Sequence, residues 1–122
     1  MYDELNAMFT QRIASLNDAI RSTFKGGRVR MTFGVKALSP EFKRRILKAV
    51  SEFNRFGDGD HDRHEFGQFT IFGQTFCWVI HYYHPTRFSL SIDPSDPSQT
   101  LRVLTIMEAN EFLANAGVQA NG

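Results

Sequence analysis

Between Asp3 and Phe24 the apolar residues Leu5, Met8, Phe9, Ile13, Leu16, Ile20 and Phe24 recur at steps of three and four. That spacing predicts one long amphipathic helix, with Asp3 capping its start and Gly26-Gly27 ending it. Its stripe serves either core packing or contact with a second copy of the chain, and core packing is the simpler use. From Arg28 to Val35 the period changes to two. Val29, Met31, Phe33 and Val35 share one face, and Arg28, Arg30 and Thr32 share the other. A half-buried strand carrying two arginines side by side is therefore expected. Ser39-Pro40-Glu41 opens a second helix, with Ser39 as N-cap and Pro40 in the first helical position. Phe42, Ile46, Val50 and Phe53 form its apolar face, Lys43, Arg44, Arg45 and Lys48 make its outer face basic, and Gly57 stops it.

After the polar loop Gly57 to Asp62, the segments Glu65–Phe72 and Thr75–His84 read as strands joined by a compact turn at Gly73-Gln74. The second is apolar on both faces, which suits a central strand. Arg87 to Ile92 alternates again and is expected to bury Phe88, Leu90 and Ile92. Asp93-Pro94-Ser95-Asp96-Pro97 is a rigid turn. In Leu101–Met107 the β-branched Val103, Thr105 and Ile106 favour a strand over a helix, and a short helix from about Ala109 to Ala116 follows. The expected fold is a single α+β domain over residues 1–122. It has a mostly antiparallel sheet of about five strands, with a long N-terminal helix and a second helix packed on it.

Composition narrows the function classes. A chain of 122 residues with 42% hydrophobic and 22% charged residues buries one core without a disulfide or metal. The net charge of +1 argues against a duplex nucleic acid partner, which calls for a clear basic excess. The lone Cys77 excludes an internal disulfide and fits a reducing cytoplasm. No basic and apolar leader opens the chain, and the apolar run Phe76–Ile80 is too short to cross a membrane. The expectation is a cytoplasmic protein.

The candidate chemistry is sparse. Asp58, Asp60 and Asp62 stand at alternate positions as in a calcium loop, with His61 and His64 among them, but Arg63 and Phe69 stand where that pattern needs Gly and Glu. A transition-metal site in the Asp58–His64 loop is open on residue type alone; the alternative is a solvated acidic turn capping its own backbone. His81 and His84 face opposite sides if their strand stays regular, so they cannot act as a pair. Cys77 has no basic sequence neighbour to activate it, and no GxSxG, SxxK or P-loop motif occurs. Arginine among aromatics remains: Arg28 and Arg30 after a diglycine bend, Arg87 before Phe88, and Arg102 opening the last strand. Guanidinium forks hold phosphate and π-faces hold a base, although exposed strand arginines also simply keep a sheet in solution.

The strings GGRVRMTFGV, HEFG, W-x-I-x-Y-Y and RVLTIM resemble short proteins of phages, prophages and plasmids, long catalogued as a domain of unknown function. They are similar to the first type of Thoeris anti-defence proteins, sponges that bind cyclic ADP-ribose isomers without cleaving them. The resemblance implies that Arg28 and Arg102 are the ligand arginines and that Phe76 and His84 complete the pocket. Arg87 is a further candidate. It also implies no cofactor, no catalysis, and assembly into a homodimer or higher homo-oligomer. Relatives usually show W-x-I-D-Y-Y-[DN], and this chain instead has His81 and His84, a change that affects which nucleotide fits or its pH dependence.

The expected function is thus a non-enzymatic sponge for a small nucleotide immune signal, a cyclic ADP-ribose isomer, with cyclic oligonucleotides left open as a second ligand. Neither duplex nucleic acid nor a membrane is an expected partner. Two alternatives stand beside it. One is a protein-interaction inhibitor docking through the basic face of the second helix; the other is a metal-dependent hydrolase built on the Asp58–His64 loop.

Overall fold

The structure, a computed structural model, describes residues 2–57 and 62–112. Helix α1 spans Tyr2–Thr23, strand β1 Arg28–Met31, the short helix α2 Phe33–Lys36, and helix α3 Pro40–Ser51. Strands β2 (Phe66–Ile71), β3 (Gln74–Tyr83) and β4 (Leu101–Glu108) complete the sheet, with one 3₁₀ turn at Pro97–Gln99. Among the described residues the sheet has four strands in the order β1-β4-β3-β2. β3 is antiparallel to both of its neighbours, whereas β1 runs parallel to β4, with Arg28 opposite Val103 and Arg30 opposite Thr105. The architecture is α+β, as expected, but the sheet is mixed and has four strands instead of about five.

Two corrections explain the difference. β1 stops at Met31, and the predicted extension through Val35 is a helical turn. Thr32 accepts the backbone N–H groups of Val35 and Lys36, Val35 is buried, and Phe33 is left exposed. Alternation over eight residues had supported a longer strand, but the chain must turn here to reach α3. The second correction concerns Arg87–Ile92. His84 N–H donates to Ser89 O and Ser91 N–H to Tyr82 O, so the segment lies beside the end of β3 as a single bridge, not a strand. Ser91 takes the inward position, its hydroxyl bonded to Thr100 and the Gln99 carbonyl, and Phe88, Leu90 and Ile92 face solvent.

The two faces of the sheet have different fates. Phe69, Phe76, Trp78, Ile80, Leu104 and Ile106 face the helices and form the core with Ile20, Val35, Ile46, Val50 and Phe53. On α3 the Ser39 cap accepts Phe42 N–H, as the sequence indicated. Its far end is closed by Arg21 of α1, whose guanidinium donates to the carbonyls of Val50, Ser51 and Phe53 and lies over the Trp78 ring. A buried cation on a helix C-terminus satisfies carbonyls that have no partner within the helix and complements the helix dipole. α1 begins at Tyr2, so Asp3 lies inside it rather than capping it, and left-handed Phe24 and Gly26 carry the chain out at its end. Its apolar stripe is divided: Ile13 and Ile20 are buried, whereas Leu5, Met8 and Phe9 are exposed. Residues 109–112 are helical, and the rest of the helix expected to Ala116 lies outside the described residues.

Glycine in the HEFG string has a packing reason. A Cβ on Gly67 would stand 2.4 Å from Trp78 Nε1 and 2.7 Å from the Phe53 ring, both held in the core. Gly67→Ala should therefore lower stability by about 2 kcal/mol or more through overpacking, read as a lower midpoint in urea unfolding. An unchanged midpoint would show that the indole does not lie across this backbone.

Candidate anion-binding site

At the end of the sheet where β1 and β4 begin and β3 ends, a cavity of about 670 Å³ opens on the face away from the helices. Arg28 and Arg30 enter it from β1, Leu101 and Val103 floor it from β4, and Tyr83 closes one side from β3. The segment after β3 contributes His84, Arg87 and Phe88, the last fully exposed. No carboxylate is among the lining residues, and the guanidiniums of Arg28, Arg30 and Arg87 have no hydrogen-bond or ion-pair partner among the described residues. Free cationic forks thus stand beside two aromatic rings, in a volume typical of small-ligand sites.

His84 shapes this cavity through its Nδ1 atom, which accepts the backbone N–H groups of Thr86 and Arg87, each at 3.1 Å. An Asp or Asn oxygen makes the same capping pattern in a polar turn. The imidazole thus does the local work of a short polar side chain in such a turn. β3 ends at Tyr83, so strand alternation no longer governs His84, and it joins the open side. His81 lies on that open face too, near Tyr83 at 6.2 Å between rings, and it lines a separate hollow with Phe66 and Leu90.

The expected clamp of Arg28 and Arg102 does not form within one chain. Their backbones are adjacent, since a Cβ on Gly27 would strike the Arg102 carbonyl, but their side chains leave opposite faces. Arg102 is 3% exposed. Its Nε donates to Asn17 Oδ1 at 2.8 Å, an Nη donates to the Pro94 carbonyl, and its plane lies over the Tyr82 ring. Asn17 in turn donates to Tyr82 Oη at 2.7 Å and to the Arg63 carbonyl, and Tyr82 donates to Glu65 at 2.7 Å. Burial pulls the Arg102 guanidinium below its ordinary value and pushes the Tyr82 phenol up. Phe76 is also inside, fully buried against Phe42 and Phe69. Of the five sequence candidates, Arg28, His84 and Arg87 therefore share the cavity, whereas Arg102 and Phe76 belong to the core side.

Arg30, Tyr83 and Phe88 are added by the geometry. Arg30 was legible from its parity with Arg28. The roles of Tyr83 and Phe88 depended on which way the segment after β3 turns, and no spacing signals that.

Several residues of the other constellations have local partners. Asp58, Asp60 and His61 lie outside the described residues. Asp62 caps the N–H groups of Gly57 and His64, and His64 hydrogen-bonds Asp18 and stacks on Phe56 at 3.8 Å. Among the described residues no group of three His, Cys, Asp or Glu side chains is placed to hold a metal. On α3, Arg45 pairs with Glu41 and lies over Phe72, and Lys43 donates to the Lys36 carbonyl. No helix among the described residues is long and apolar enough to cross a membrane.

The molecule is an α+β protein with a helix-covered sheet face and an open, arginine-edged one. The chain matches the model of the family described as a protein of unknown function (DUF3768) over residues 31–111, and it belongs to that family. The matched segment takes in His84, Arg87 and Arg102 and begins just after Arg28 and Arg30. Neither the curated proteins nor the solved structures gave a match.

Two outcomes follow. Arg102→Ala should destabilise the fold by about 3 kcal/mol, because it strands buried Asn17 and the Pro94 carbonyl without a donor, and calorimetric melting reads it. Cys77 is buried, and that burial pushes its thiol from 9.0 to about 11. Iodoacetamide at about pH 8 should leave the folded protein unmodified and label it once urea unfolds it. Because the unfolded thiol ionises first, Cys77 favours the fold at neutral pH, and that contribution is lost as the pH rises towards 11.

Proposed function

We propose that this chain is a non-catalytic binding protein that captures a small, planar, phosphate-bearing ligand on its open sheet face. One observation carries the reading. Arg28 and Arg30 from one strand and Arg87 from a distant loop converge, unpaired, on a single cavity that contains no acidic group. Each guanidinium offers a bidentate fork to phosphate oxygens, and Tyr83 and Phe88 offer faces to a base. The cavity's hydroxyls belong to Thr86, Ser89 and Tyr83, and the one imidazole uses Nδ1 to hold its own backbone.

The resemblance to the Thoeris anti-defence sponges supports a narrower ligand class, the cyclic ADP-ribose isomers. These join an adenine to two phosphates and so match arginines flanked by rings. In this reading Arg28, Arg30 and Arg87 hold the phosphates, and Arg102 keeps the sheet in place beneath them. The sponge works by mass action, so it needs a dissociation constant well below the signal concentration, roughly nanomolar.

Native mass spectrometry with a panel of cyclic ADP-ribose isomers and cyclic oligonucleotides tests this directly. The expected result is one intact ligand mass added per site, with no cleavage product and with the number of copies read in the same spectrum. Arg28→Ala and Arg87→Ala should each weaken binding about 10- to 100-fold while leaving the melting temperature nearly unchanged. No added mass from any phosphate-bearing compound, or unchanged affinity in both variants, contradicts the reading.

A further inference from the structure

We propose that neutral His84 is the positioning residue of this cavity, a latch that holds Arg87 in place at neutral pH and lets it go on acidification. The consequence for capture rests on the nucleotide-binding reading above; the latch itself rests on hydrogen-bond chemistry. Backbone N–H groups can only donate, and two of them, from Thr86 and Arg87, point at His84 Nδ1 at 3.1 Å. Nδ1 must therefore carry a lone pair, and a neutral ring keeps its proton on Nε2. The turn is closed further by His84 N–H donating to Ser89 O and by Ser89 N–H donating to Arg87 O. Arg87 thus takes its backbone position directly from the imidazole.

An imidazolium has two donors and no acceptor. Once the ring takes a proton, both N–H groups face a third N–H instead of a lone pair, and this end of the turn loses its cap. The charged and titratable groups that line the same cavity are Arg28 and Arg30 from β1, Arg87 from the loop and Tyr83 from β3. No carboxylate is among them to accept a hydrogen bond from the protonated ring. The free ring should therefore leave the turn rather than stay in it protonated. An Asn at this position would cap the same two N–H groups without titrating.

The decisive experiment uses ligand-free, ¹⁵N-labelled protein between about pH 8 and 5. In the native chain the amide signals of Thr86 and Arg87 should shift with the same midpoint as the His84 ring, which at high pH shows the Nε2–H tautomer. Both amides should exchange faster with solvent below that midpoint. In His84→Asn they should stay protected across the range, and in His84→Ala they should exchange fast throughout. Amides that ignore the ring titration, or a His84→Ala protein matching the native one, would overturn the latch.

Calorimetry with cyclic ADP-ribose then reads the consequence. Affinity should fall about tenfold from pH 7.5 to pH 5.5 in the native protein, change less than about twofold in His84→Asn, and be weak at both in His84→Ala. If the imidazolium instead served as an extra phosphate contact, binding would tighten in acid, and that result contradicts the proposal. Should no probe bind at any pH while the amides still follow the ring, the nucleotide reading and the capture claim fall together, and the latch survives as a property of the loop alone.

Discussion

A guanidinium buried to 3% exposure without a carboxylate partner shares the inward side of β4 with Leu104 and Ile106. Arg102 can occupy that position only because Asn17 and the Pro94 carbonyl receive its donors and the Tyr82 ring lies against its plane. A buried charge left unpaired is far more costly than these contacts are individually favourable, so the arrangement holds together as a unit. It ties α1, β3, β4 and the Asp93–Pro97 turn to one another. It also sets the register of everything opposite. With Arg102 inward, Leu101 and Val103 must point outward, and they bring the β4 floor under Arg28 and Arg30.

The division of labour among arginines follows from this. Arg21 and Arg102 are structural cations pressed against rings, Arg21 held by carbonyls and the Asp18 carboxylate and Arg102 by a carbonyl and an amide oxygen. Arg28, Arg30 and Arg87 lack such partners among the described residues and gather around an opening. Three unpaired guanidiniums lining one cavity concentrate positive charge there although the net charge of the chain is only +1. A net charge near zero says nothing about a compact cationic site.

Sequence patterning made the helices legible: α3 from its Ser39-Pro40 start and apolar spacing, α1 from its stripe and the glycines beyond it. The hairpin β2–β3 was equally plain from Gly73 and the apolar runs flanking it. What escaped were the features set by tertiary contact. Alternation in Arg28–Val35 continues past the point where β4 can pair, so the strand looked longer than it is. Phe88, Leu90 and Ile92 alternate as a buried strand would, yet the serine positions between them are the ones tied to the protein. For Arg102 a clue did exist. It shares parity with Leu104 and Ile106, both fully buried, and that parity placed it inside. The polar members Asn17 and Tyr82 that make its burial tolerable lie 85 and 20 positions away in the chain, and no local pattern joins them.

The same logic separates binding from chemistry. Cys77 is buried with its thiol pushed up, and His64 is committed to Asp18 and Phe56. Among the described residues Cys77 and His64 thus have structural roles, and the cavity on the open face is lined by cations, rings, hydroxyls and a self-engaged imidazole. The most direct test of that division is an NMR titration of the arginine side-chain Nε–H signals with cyclic ADP-ribose. The account predicts large shifts for Arg28, Arg30 and Arg87 and a silent Arg102. A ligand that moves Arg102 while leaving the other three unchanged would contradict it.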